Sequence, residues 1–199
     1  MSHKIRRALF AVAMLAISLV GVASASATTV SPSGSGNVYT ATNSGSTVFK
    51  DSAGTSISCT SSTLTGTTSS SGAFTFSSES FGGTCSGAGF NWTVSTSGTW
   101  TGSVTYDAGG NHKFQITVPT AGAHLSNGFG CTFDVQGTTS AWNGTSGGKY
   151  VNSGTATLTN ASGLSVSNVA FGCFGAVASG PGATFSGTYT LNPTATVSS

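Results

Sequence analysis

Lys113-Phe114-Gln115-Ile116-Thr117-Val118 decides the fold class. Its apolar residues fall at every second position, so Phe114, Ile116 and Val118 share one face and the polar residues take the other. That is the period of a half-buried β-strand, not of a helix. The same alternation recurs outward in both directions: Phe74 and Phe76; Phe90, Trp92 and Val94; Trp100, Val104 and Tyr106; Cys131, Phe133 and Val135. It continues through Ala156 and Leu158, Leu164 and Val166, then Phe185, Gly187 and Tyr189. Turn signals separate the runs at Gly109-Gly110-Asn111, Asn143-Gly144, Gly147-Gly148 and Ala161-Ser162-Gly163. The pattern predicts an all-β antiparallel fold of about a dozen short strands, either a β-sandwich or barrel-like.

The chain also repeats itself. Trp100-Thr101-Gly102-Ser103-Val104-Thr105-Tyr106 matches Phe185-Ser186-Gly187-Thr188-Tyr189-Thr190-Leu191 in residue type. Cys59-Thr60 followed by Gly66-Thr67-Thr68 echoes Cys131-Thr132 followed by Gly137-Thr138-Thr139. Two related halves are expected, 46–107 and 113–192. Four cysteines admit three disulfide connectivities. The repeat gives each half its own pair, which selects Cys59–Cys85 and Cys131–Cys173. No C-x-x-C pair occurs, so disulfides are favoured over a metal site.

Residues 1–27 read as a secretory signal peptide. Lys4, Arg6 and Arg7 form a basic start, an apolar run extends from Ala8 to Val20, and Ala25-Ser26-Ala27 supplies a small-residue cleavage site. The apolar run is too short to span a bilayer as a helix. Arg6-Arg7 with Leu9 and Phe10 also fits a twin-arginine signal, but an ordinary Sec signal is the reading preferred here. One secreted, extracellular domain, 28–199, would follow, with no transmembrane helix.

Removing the signal changes the charge. Residues 28–199 keep three lysines (Lys50, Lys113, Lys149) against four carboxylates (Asp51, Glu79, Asp107, Asp134), and no arginine. Three scattered lysines cannot neutralise a run of phosphates, which excludes nucleic acid as a partner. Polybasic recruitment to membranes fails for the same reason. The 12 Phe and near absence of charge also exclude a disordered Gly/Ser linker. A surface this neutral repels its own copies weakly, so self-association is physically easy.

Motifs for chemistry are sparse. Gly144-Thr145-Ser146-Gly147-Gly148 fits G-x-S-x-G, but it lies in a turn-like stretch, without the strand and helix that a nucleophile elbow requires. His112 stands in a turn, where a solvated role is expected. His124 precedes a strand, and a Ser–His–Asp arrangement around it stays open because Ser is everywhere. No pair of acids is marked for glycosidase work. Asp107 with Asn111 lacks the oxygen-rich loop of a calcium site. No metal or cofactor is expected. Trp92 and Trp100 alternate with core residues and should be packed. Trp142, beside a turn, and Tyr150, beyond the glycine pair, are the candidate ligand-binding residues, because an exposed aromatic can stack on a sugar.

The stretches Ala123-His124-Leu125, Gly130-Cys131, Tyr150-Val151-Asn152-Ser153-Gly154-Thr155-Ala156-Thr157-Leu158, Gly163-Leu164-Ser165-Val166-Ser167-Asn168, Gly172-Cys173 and Ala183-Thr184-Phe185-Ser186-Gly187-Thr188-Tyr189 resemble a set of small exported β-rich proteins of actinomycetes with no assigned activity. The resemblance covers about the last 70 residues well. It implies a secreted β-domain with two cysteine pairs and transfers no functional residue. The expected function is a secreted, non-enzymatic β-domain that binds a cell-wall or extracellular glycan partner through Trp142 and Tyr150. A self-assembling or pore-forming β-protein is the alternative, and an extracellular hydrolase the second.

Overall fold

The computed structural model describes residues 27–199; apart from Ala27, the expected signal segment lies outside them. The described residues form thirteen strands: β1 (Thr29–Ser31), β2 (Val38–Asn43), β3 (Thr47–Lys50), β4 (Ser56–Thr68), β5 (Ala73–Gly87), β6 (Phe90–Thr96), β7 (Thr101–Thr105), β8 (His112–Ser126), β9 (Thr132–Thr138), β10 (Gly147–Val151), β11 (Thr155–Ser167), β12 (Gly180–Asn192) and β13 (Thr196–Ser198). The all-β antiparallel expectation is met.

Five strands are long, and the short ones work in pairs. β2 and β3 both run antiparallel to β4, one after the other. β6 and β7 flank β8 in the same way, and β9 and β10 flank β11. Each pair is therefore one strand interrupted near its middle. The positions follow chain order around the sheet: β2/β3, β4, β5, β6/β7, β8, β9/β10, β11 and β12. β12 then pairs with β2 and β3, so the pairings return to their start. Consecutive antiparallel neighbours and a circuit of pairings give the barrel-like form of the two architectures expected. Each sequence half supplies four consecutive positions. Register shifts interrupt the β4–β5, β8–β9 and β11–β12 ladders. Bulges of this kind bend long strands and tighten their twist.

Alternate residues fill the interior. Phe133, Ala161, Leu158 and Tyr189 are completely or almost completely buried, and Trp92 and Trp100 are packed as expected. Large and small residues face each other across the ladders: Phe76 opposite Gly66, Phe114 opposite Gly148, Leu158 opposite Gly187. A Cβ on Gly148 would strike the Phe114 carbonyl oxygen, so this position admits only glycine. The outward residues of the long strands are mostly Ser and Thr.

The two ends differ. At one, β1 and β13 pair as a small two-stranded cap that buries Val30, Ala195 and Val197. At the other, four connections meet: residues 51–55, 88–89, 127–131 and 168–179. Both disulfides match the repeat-based pairing. Cys59–Cys85 joins residues directly opposed on β4 and β5. Cys131–Cys173 ties the β8–β9 connection to the β11–β12 connection. The closed loops span 26 and 42 residues. Replacing Cys131 and Cys173 by Ser should cost about 4 kcal/mol, and replacing Cys59 and Cys85 about 3.5 kcal/mol. Urea unfolding followed by tryptophan fluorescence measures both.

Candidate functional site

Tyr150 corrects the expectation for a sugar platform. β10 lies between β8 and β11, so Gly148 and Tyr150 face the interior. Tyr150 is 3% exposed and donates its hydroxyl to the Ala195 carbonyl at 2.5 Å. Burial pushes its phenol up to about 12. Its work is to bind the C-terminal segment to the barrel. Trp142 lies outside, half-buried, on the connection between β9 and β10. The Lys149 ammonium sits 4.7 Å from its ring centroid, a cation–π contact that takes one face of the indole. The two aromatics do not converge, and Ser146 belongs to a turn organised by the Asn143 side chain.

His112 is also corrected. It is buried, not solvated: 2% exposed and stacked on Tyr106 with ring centroids 5.4 Å apart. Its Nδ1 accepts the Asp107 backbone N–H at 3.1 Å, which makes the ring a strut for the turn. Burial lowers its pKa, against smaller raising effects from Asp107 and Asn152.

His124 has a polar neighbourhood on the outer face. β6, β8 and β9 place Ser95 opposite His124, and His124 opposite Asp134. His124 Nδ1 meets Asp134 Oδ1 at 2.7 Å, and Asn168 Nδ2 donates to Asp134 Oδ2 at 2.6 Å. Burial works to raise the Asp134 pKa, but the hydrogen bonds from Asn168 and His124 outweigh it and hold the carboxyl below its usual range. The residue types are those of a hydrolytic triad, but the geometry is not. Ser95 Oγ donates to the His124 carbonyl oxygen at 3.4 Å instead of to the ring.

The interior offers little room. A cavity of about 60 Å³ is bounded by residues that include Leu64, Phe81, Trp100, Ile116, Leu125 and Tyr189. A water occupies about 30 Å³ in the liquid, and a cavity of about 150 Å³ holds benzene, so this cavity has room for one or two waters. Glu79 stands opposite Leu64, at an inward register position on β5. Its Oε1 is buried without a hydrogen-bond partner. Burial raises its pKa, with a smaller lowering effect from its own backbone.

The loop end carries the feature that sequence reasoning missed. Phe129, Phe171 and Phe174 are 79%, 89% and 82% exposed, and Phe90 joins them at 40%. Phe90 and Phe129 pair at 6.2 Å between ring centroids, Phe171 and Phe174 at 5.6 Å. Cys131–Cys173 holds the set together: Phe129 lies two residues before Cys131, while Phe171 and Phe174 flank Cys173. Residues 88–91, 127–131 and 168–179 contain no charged side chain. The available signal was local. Gly128-Phe129-Gly130 and Phe171-Gly172-Cys173-Phe174 break the strand alternation, as protruding residues do and core residues do not.

Two pH effects follow. Below about pH 6.5 the unfolded chain protonates His112 and the folded chain resists. Wild-type stability should therefore fall as acid is added from that point, whereas His112→Gln, less stable overall, should lose this component. Glu79 works in the opposite sense. Its raised folded pKa costs stability as pH rises above about 4. Glu79→Gln should raise the melting temperature at neutral pH, with the gain vanishing in acid. Calorimetry across pH reads both. Comparison of the chain with protein-family models, curated proteins and solved structures gives no match in any of the three, so its function is read from its own geometry.

Proposed function

We propose that this chain is an exported, non-enzymatic binding domain whose contact surface is the aromatic loop end. The observation that carries the reading is the group of four exposed phenylalanines at one end of the barrel, three on the β8–β9 and β11–β12 connections and Phe90 at the start of β6. Exposed apolar clusters of this kind mark interaction sites, while singly scattered apolar residues do not. The remaining outer wall is Ser- and Thr-rich and offers no comparable patch. A lipid-spanning barrel needs an outward apolar band; the outward residues here are polar, which gives no support to a pore wall in this fold. Glycan contact through Trp142 loses support because Lys149 covers a face of the indole and Tyr150 is internal.

The test is retention on the envelope of the producing cells. Wild-type protein should be recovered with the envelope fraction. A triple variant, Phe129→Ser, Phe171→Ser and Phe174→Ser, should be recovered in the medium, and Trp142→Ala should behave as wild type. Equal retention of the triple variant and the wild type, or release by Trp142→Ala alone, overturns the reading.

A further inference from the structure

We propose that His112 is a proton-operated latch for the β1–β13 cap: neutral, it braces the residues that hold the two cap strands on the barrel, and protonated, it releases them. The proposal is independent of the aromatic loop end, which lies at the other end of the barrel.

The cap strands are three residues long and pair only with each other. Their hold on the barrel comes from a few bonds made outside that pairing. Asn152 clamps the middle of β13: its Oδ1 accepts the Val197 N–H at 2.8 Å and its Nδ2 donates to the Val197 carbonyl at 3.0 Å. Tyr150 donates its hydroxyl to the Ala195 carbonyl. On the β1 side, the Tyr106 N–H donates to Thr28 Oγ1 at 2.9 Å, and the Val30 N–H to the Ser70 carbonyl at 2.8 Å.

Three of these anchors surround one imidazole. Tyr106 stacks on His112. Tyr150 stands directly opposite it across β8 and β10. The Asn152 side chain hydrogen-bonds the ring. His112 Nδ1 accepts the Asp107 N–H, so in the closed cap this nitrogen carries no proton.

An imidazolium is a donor at both nitrogens. A proton on Nδ1 would point at the Asp107 N–H, donor against donor, in a buried place where an unmade hydrogen bond is costly. Relief lies nearby in the Asp107 carboxylate, whose Oδ1 accepts from the Gly109 N–H. It is the charge among the described residues that favours the protonated ring. Turning toward it takes the ring out of its stack with Tyr106 and away from Asn152. The other neighbours offer no competing charge. Lys113 and Lys149 point outward from β8 and β10, between buried residues. The strands β1 and β13 carry no charged side chain. Burial raises the phenols of Tyr39 and Tyr150, which stay neutral in acid. Beneath the cap, Tyr39, Phe74, Phe114 and Leu191 border an apolar void, which release of the cap exposes.

The direction with pH follows. With the cap open, the ring titrates near its ordinary value of about 6.5. With the cap closed, burial holds it lower. The closed form is therefore fully favoured above about pH 6.5, and opening becomes easier by up to about tenfold for each pH unit below it.

Hydrogen–deuterium exchange read by mass spectrometry between pH 7.5 and 5, corrected for the intrinsic pH dependence of amide exchange, tests the latch. In wild type, the amides of β1 and β13 should lose protection below about pH 6.5, while those of β4 and β5 keep theirs. His112→Asn keeps an acceptor for the Asp107 N–H but cannot take a proton, so its cap protection should not change over this range. Asp107→Asn removes the carboxylate that receives the charged ring and should move the onset of opening to lower pH. It reads the same latch if His112→Asn fails to fold. Cap amides that stay protected down to pH 5 overturn the proposal. So does loss of protection in β4 and β5 in step with the cap, because His112 would then act on the whole fold. A wild-type pH dependence in His112→Asn, or an unchanged onset in Asp107→Asn, overturns it as well.

Discussion

The rest of this structure depends on filling the inside of a closed ladder with alternate residues. Every second side chain along eight strand positions must fit a shared interior, and bulky rings succeed there because glycines stand opposite them. Phe76 facing Gly66 and Phe114 facing Gly148 are the local solutions. The filled interior limits what the protein can do. Among the described residues the interior cavity is only about 60 Å³, which turns attention to the outer wall and the ends. The wall is mostly Ser and Thr, one end is capped by the β1–β13 pair, and the other end carries the exposed rings.

The fold was legible wherever the alternation was strict. Phe114, Ile116 and Val118 face inward as their spacing requires, and Trp92 is buried for the same reason. The disulfide pairing was legible from the repeat of Cys59 and Cys131. Closure was not. β2 and β12 meet from opposite ends of the chain, and nothing local in Thr40 or Asn192 marks them as partners. Tyr150 was misread because glycines beside it suggested a turn, whereas Gly147 and Gly148 are strand residues making room for Phe114 and its neighbours. His112 was misread because a turn sequence does not reveal that the turn folds over the ring.

The aromatic end was hidden by composition. In a chain with 12 Phe, the economical assumption puts each one in the core. Three of them instead sit on segments joined by Cys131–Cys173, where backbone hydrogen bonds hold the loops in shape and the rings gain nothing from the barrel. This disulfide therefore has a second consequence beyond stability: it fixes the spacing of the rings. The scarcity of charge acts in the same direction, since residues 88–91, 127–131 and 168–179 carry no charged side chain.

The pairing of the chain's two ends sets an order of events. β2 and β3 close on β12, and β1 closes on β13. In a chain that emerges from its N-terminal side, β2 and β3 can pair with β4 early, but their other edge stays open until β12 arrives. Hairpins such as β4–β5 can form early, because their partners are adjacent. The circuit and its cap wait for residues 180–198. The barrel thus stays unclosed until its last segment is available, and assembly concludes in one late, long-range step.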